Sequence, residues 1–416
     1  MADISLIKVA FCTLLAIGSV LFATYARERS WEQKALRASV TAIIPIRFVL
    51  CLGIYILWPE MNARSDAVQV YLPETLKLIS GELPYRDFVT SYSPLFSALL
   101  AIPVMIWQSV GSIVLTMLVI ETAMLILYLK RSRLSDPVDG WRVAFLYLFS
   151  PISFYWIGLV GYNGSIIALF AMLGLILAER GKHALSGVAC GLGLLCSKLL
   201  AVLSWPAVIL YDRRNWLMRS IPVAITLILL LALTAAGFDT LMPIKKEFGR
   251  YTEGNLLFVI SLVRPGLAGS TFGNIFPLLA FVILFSFFAF KFVTTRAAAN
   301  VNRFNTSSAF IALISLLFMT VSTKTYSFYL PMMLIFLIHA LVTRLRYSGR
   351  FLAPLAILGS ITTIETGSYL TQAADDTGGS LQLPKTIVFV LLNLITIACY
   401  VYMMIESYRA ATDTEE

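Results

Sequence analysis

The chain is poor in charge. Asp, Glu, Lys and Arg make up 13% of its 416 residues, against about 25% in soluble domains. No polar stretch is long enough to be a soluble domain, so the length does not translate into two or three of them. Histidine is nearly absent, with only His183 and His339. No Cys or His cluster has zinc spacing, and the pattern argues against a Cys–His or Ser–His nucleophile. The five cysteines, Cys12, Cys51, Cys190, Cys196 and Cys399, are odd in number and all lie in apolar stretches, so no disulfide framework is implied. The glycine-rich runs Gly187–Gly193 and Gly266–Gly273 lack the spacing and strand context of a phosphate loop or dinucleotide fingerprint. Low charge and high apolarity also exclude intrinsic disorder and simple nucleic-acid binding.

Apolar residues are abundant: 59% of the chain is hydrophobic and mean hydropathy is +0.83. Lipid is the expected solvent. A helix crosses the hydrocarbon with about 20 apolar residues, and such runs fall near 4–24, 39–58, 110–129, 143–158, 164–178 and 219–237. Further runs lie near 276–293, 305–321, 327–342, 351–366 and 385–404. The run 184–211 is too long for one comfortable span and short for two. With Lys198 at its centre and Trp205–Pro206 beyond, it reads as two short helices turning near Lys198. With that break, 20 of the 32 Lys and Arg residues fall on one side, which the positive-inside rule makes cytoplasmic. The expected fold is an all-α polytopic bundle of about 13 spans, N-terminus outside, forming one membrane domain over 1–416. Residues 1–38 form an additional N-terminal span and cytoplasmic turn. The first apolar run has its basic residues after it rather than before it, unlike a cleaved signal peptide. The net charge of +9 is then mostly topology and says nothing about nucleic acid.

The outer segment 59–109 is too apolar for a free loop and too interrupted for a span. Ala67–Ser80 and Pro94–Trp107 read as helices lying in the interface, and Phe238–Asn274 has the same mixed character. Asp66, just beyond the second span, is either a solvated or helix-capping carboxylate or a general base. Asp87, in Tyr85-Arg86-Asp87, either pairs locally with Arg86 or orients a substrate. An ammonium inside the run 184–211 must snorkel, pair or face a polar cavity, which makes Lys198 a candidate for an anionic head group. Lys324 is an interfacial anchor or a second such cation. For Arg264 an anchor is the more economical reading, phosphate binding the other. Glu121 is placed to pair with a neighbouring helix, and turn chemistry accounts for Asn163.

Three segments carry a resemblance. Ser65-Asp66-Ala67 is followed by Gly81-Glu82-Leu83-Pro84-Tyr85-Arg86-Asp87-Phe88 and Tyr92-Ser93-Pro94-Leu95. From Gly161 to Lys198, a short outer turn, a span, a basic turn and a small-residue-rich helix lead to a lysine. The third is Thr323-Lys324-Thr325-Tyr326-Ser327-Phe328-Tyr329-Leu330. In this order, over residues 60 to about 340, they resemble the GT-C superfamily of membrane glycosyltransferases. The likeness is greatest to polyprenyl-phosphate-mannose-dependent mannosyltransferases and the catalytic subunit of GPI mannosyltransferase I.

The resemblance implies an inverting transferase on the outer face of a bacterial plasma membrane. It would move a sugar, with mannose favoured, from a polyprenyl-phosphate donor to a glycan, lipid or protein acceptor. Asp66 would be the catalytic base. Lys198, Lys324 and Arg264 would receive the lipid phosphate, while Tyr85, Arg86, Asp87 and Tyr326 would shape the substrate site. No cofactor is firmly implied; members of the superfamily differ in their need for a divalent cation. Membrane lipids are partners and nucleic acid is not. Two departures stand out: the extra N-terminal span, and a Gly161–Ser165 turn without the acidic residue some relatives carry. A polysaccharide-precursor flippase would instead show a polar central cavity and internal repeats. An O-antigen polymerase or ligase would favour outer-loop arginines and histidines.

Overall fold

The computed structural model describes residues 10–21, 32–57, 65–133, 137–247, 252, 254–263, 270–295, 302–323, 325–345, 349–361 and 383–412. Every described element is helical. The chain begins with α1 (Ala10–Leu21) and α2 (Glu32–Leu57). Residues 65–109 then form a π-turn, Ala67–Tyr71, with α3 (Leu72–Ile79) and α4 (Phe96–Ile106). Helices therefore form in both stretches, 67–80 and 94–107, where they were expected. Next come α5 (Val110–Ser132), α6 (Pro137–Leu148), and α7 (Pro151–Ser153), which continues as a π-helix over Phe154–Leu159. The break before Pro151 bends this pair by 53°. Proline has no N–H to continue the ladder, and the Ser150 hydroxyl accepts the Ile152 N–H at 3.3 Å instead.

The remaining elements are α8 (Gly164–Glu179), α9 (His183–Leu195), a 3₁₀ segment (Leu199–Ser204) and α10 (Trp205–Ile209). After them come α11 (Trp216–Ala235), α12 (Met242–Glu247), α13 (Leu256–Val263) and α14 (Thr271–Thr295). The chain closes with α15 (Arg303–Val321), α16 (Pro331–Leu345), α17 (Gly349–Ile361) and α18 (Leu383–Thr412). Among the described residues, six helices are long and apolar enough to cross a bilayer, or seven with the bent pair as one span. The count of thirteen treated nearly every apolar run as a crossing. Several of those runs form helices of only 10–17 residues, about 15–26 Å long against a hydrocarbon core of about 30 Å.

Burial separates helices that composition alone cannot. In α15, 83% of the most apolar window is buried, against 11% in α14. α15 and α16 form the centre, while α14 presents Phe272, Phe276, Ile283 and Phe290 outward, as a lipid-facing helix does. Close packing of α9 on α11 depends on glycine: a Cβ at Gly187 would strike the Arg219 carbonyl, and one at Gly191 the Thr226 hydroxyl.

Charges are paired inside the bundle. Arg47 on α2 meets Glu121 on α5 at 3.0 Å, with both side chains about 2% exposed. The Ser153 hydroxyl donates to Glu121 at 2.7 Å and accepts from Arg47 at 3.1 Å. One end of the bundle is rich in arginine. There Arg131 pairs with Glu179 at 3.0 Å and lies 3.8 Å over the Phe304 ring. Arg219 bonds His183 at 2.9 Å, and Glu406 holds both Arg344 (3.1 Å) and Arg409 (2.7 Å). The opposite end carries the π-turn, α3 and α4.

Candidate functional site

Lys198 is where the run 184–211 breaks. Its backbone is extended (φ −142°, ψ 163°), so α9 ends with carbonyls that need partners. Residues of the segment 65–109 supply them: the Ser93 N–H donates to the Ser197 carbonyl at 3.1 Å, and the Leu95 N–H to the Leu195 carbonyl at 2.9 Å. These bonds bring that segment onto the lysine. The expected turn at Lys198 is therefore present, and it serves as a docking edge.

Asp66 stands at the start of the π-turn but makes no capping hydrogen bond. Its Oδ2 instead accepts from the Tyr92 hydroxyl at 2.7 Å and lies 4.0 Å from Lys198 Nζ. The carboxylate side chain is 34% exposed and the lysine 13%. Lys198 Nζ donates to the Tyr162 hydroxyl at 2.9 Å. Four rings surround it: Tyr92 at 4.2 Å, Tyr162 at 5.1 Å, Tyr329 at 5.6 Å and Phe328 at 5.8 Å. An ammonium has three N–H donors. One is used on Tyr162, and π faces attract the charge without consuming the other donors. Lys198 lies in the break, outside both helices; burial pushes its ammonium down to about 8, with Asp66 drawing it back up.

Tyr92 is itself held in place. Its N–H donates to Thr90 Oγ1 at 3.0 Å, and the Thr90 hydroxyl donates to the buried Glu74 at 2.7 Å. The Tyr85 hydroxyl donates to the Tyr92 carbonyl. Tyr85 adopts a positive φ of 67°, uncommon for a residue with a side chain. Its position thus supports the residue that touches Asp66.

Other expected site residues fall elsewhere. Arg86 and Asp87 pair with each other at 2.9 Å on an exposed turn. The Arg86 guanidinium and the Leu83 N–H hold the Asp87 carboxyl below its usual range. This is the local pairing, and it connects neither residue to Asp66. Tyr326 stacks on Phe328 at 4.5 Å, one ring behind the ammonium. Its segment is tied to residues 252–255, with the Thr252 N–H donating to the Thr323 carbonyl at 3.1 Å and Asn255 Nδ2 to Thr325 Oγ1 at 3.0 Å. Lys324 and Arg264 lie outside the described residues. Among the described residues, no group of three His, Cys, Asp or Glu side chains could hold a metal ion.

Sequence reasoning missed Glu74, Thr90 and the individual roles of Tyr92, Tyr162 and Tyr329. The only signal was aromatic density in the quoted segments, which is also how buried helix ends read. Against family models, curated proteins and solved structures, the chain has no match.

Proposed function

We propose that this protein is an inverting glycosyltransferase that takes a sugar, with mannose favoured, from a polyprenyl-phosphate donor. The observation that carries this reading is the partly exposed Asp66 carboxylate, 4.0 Å from an ammonium caged by aromatic rings at one end of an apolar helical bundle. A carboxylate and a cation so placed suit the two demands of the reaction. Asp66 takes the proton from an acceptor hydroxyl as its oxygen bonds to the anomeric carbon. The bond from that carbon to the phosphate oxygen breaks, and Lys198 stabilises the departing lipid phosphate. Displacement from the face opposite the phosphate inverts the centre and needs one carboxylate. Glu74, bonded to Thr90, and Asp87, paired with Arg86, are engaged elsewhere.

In this reading the arginine-rich end is cytoplasmic and the Asp66 end faces outward across a bacterial plasma membrane. The shorter helices then contribute further crossings towards about thirteen, in a GT-C-like arrangement. Helices much shorter than the hydrocarbon thickness require local thinning or protein packing around them.

The test supplies radiolabelled undecaprenyl-phosphate sugars and acceptor lipids to purified protein in liposomes. Asp66→Asn is expected to lose about 10²–10⁴-fold of the transfer rate, the usual contribution of a positioned base, with an unchanged melting temperature. Full transfer by Asp66→Asn removes Asp66 as the base. Lipid crossing between leaflets while no labelled sugar is consumed establishes a flippase instead.

A further inference from the structure

The arginine-rich end of the bundle holds a cavity of about 530 Å³, lined by Arg344, Leu345, Pro354, Tyr402, Glu406 and Arg409. Three helices build it. Arg344 and Leu345 close the last turn of α16, and Pro354 lies inside α17. Tyr402, Glu406 and Arg409 come from the end of α18. Their spacing of four and then three residues puts all three on one face of that helix. Half of the wall is charged, and the other half is Leu, Pro and Tyr.

Glu406 anchors the charged half. Its side chain is 6% exposed, and both carboxylate oxygens are engaged. Oε2 accepts from Arg344 Nε at 3.1 Å, and Oε1 from Arg409 Nη1 at 2.7 Å. One guanidinium is enough to neutralise this carboxylate and tie α16 to α18. The second leaves the charged lining with a surplus of one positive charge. Arg409 carries it outward: its side chain is 54% exposed, and Glu406 takes one of its five N–H donors. With both oxygens turned to guanidiniums, the carboxylate positions them instead of opposing an anion. Nearer the helix middles, Ile357 and Ile405 are exposed. Ile357 lies three residues beyond Pro354 and Ile405 four before Arg409, on the faces that line the cavity. An exposed cation at the helix ends therefore adjoins exposed apolar surface deeper along the same helices.

We infer that this cavity binds the phosphodiester headgroup of an anionic phospholipid, with the acyl chains lying along Ile357 and Ile405. A guanidinium fork matches phosphate oxygens in a bidentate manner, and basic pockets between helix ends hold such headgroups. A soluble phosphate uses the arginines but not the isoleucines; a phospholipid uses both. The bound headgroup bridges α16, α17 and α18 at the end opposite Asp66 and Lys198. The site is independent of the transferase reading.

The test titrates the delipidated full chain in detergent with phosphatidylglycerol or phosphatidylcholine and counts bound lipid by native mass spectrometry. Wild type is expected to bind phosphatidylglycerol about tenfold more tightly, the scale of one charge-assisted hydrogen bond. Arg409→Gln should lose that preference and keep the wild-type melting temperature in lipid-free detergent. Arg133→Gln removes the same charge from the same end, at an exposed residue outside the cavity, and should leave the preference intact. Excess inorganic phosphate should not displace the lipid. Arg344→Gln repeats the test if Arg409→Gln does not fold. The inference is overturned if wild type binds the two lipids equally, or if a folded Arg409→Gln keeps the preference. An equal loss in Arg133→Gln reduces the effect to general surface charge and overturns it too. Displacement by inorganic phosphate makes the ligand a free anion and overturns the lipid assignment. None of these outcomes bears on transfer by Asp66.

Discussion

Two of the carboxylate–cation pairs, Arg47–Glu121 within the bundle and Asp66–Lys198 at one of its ends, are built differently. Arg47 and Glu121 meet at 3.0 Å, about 2% exposed, with Ser153 bonded to both. Asp66 and Lys198 stand 4.0 Å apart and remain partly exposed. Their polar partners are tyrosine hydroxyls, and π faces contribute much of the ammonium's surroundings. A buried ion pair must approach closely to offset desolvation, and the first does so. The second is wider and sits in an aromatic frame, with the carboxylate 34% exposed. The first pair is thereby committed to the fold; under the proposed function the second is the one that works on the donor.

The largest expected effect belongs to the tight pair. Glu121→Ala leaves Arg47 buried without its counter-charge, and stability should fall by about 3–5 kcal/mol. The double variant Arg47→Met/Glu121→Leu should recover most of it, as read by thermal unfolding in detergent. If Glu121→Ala alone melts like wild type, the distinction between the pairs fails.

Lys198→Met should behave in the opposite way. Stability should change little, while affinity for undecaprenyl phosphate in nanodiscs should fall about 10–100-fold, the range for a lost charge-assisted hydrogen bond. A large fall in melting temperature with unchanged affinity would move Lys198 into the structural class. A pH titration sharpens the same point. The lysine is charged below about 8, so affinity should be highest below that value and decline above it. Lys198→Arg should abolish the decline, because a guanidinium stays protonated throughout.

The smallest effect is expected at Arg86→Ala. The Arg86–Asp87 pair is exposed and local, and exposed pairs contribute little. Neither melting temperature nor donor affinity should move measurably. A marked loss of affinity would bring this turn back into the site.

Much of the fold was legible because hydropathy and turn chemistry are local. The short helices near 67–80 and 94–107 and the break at Lys198 follow from interrupted apolarity and an ammonium amid apolar residues. The number of full crossings was less legible: an apolar run of 13–16 residues reads alike whether it spans lipid or packs in protein. At the site, Asp66 and Lys198 stood out as charges in the wrong surroundings. Glu74 and Thr90 did not, because a buried carboxylate and a threonine look ordinary until their partners are known. Arg86 and Asp87 left two readings open, since adjacent opposite charges give no indication of which way they face, and the structure shows them paired with each other.

By itself the chain determined a helical membrane protein, where its helices break, and which two charges are hardest to explain as packing. These follow from the cost of placing backbone and charge in an apolar solvent, which each short segment meets on its own. Only the tertiary structure decided that residues 66, 92, 162, 198 and 328 share one end of the bundle. Such proximity depends on how helices distant in sequence pack through their glycines and aromatic rings, and no local pattern encodes it.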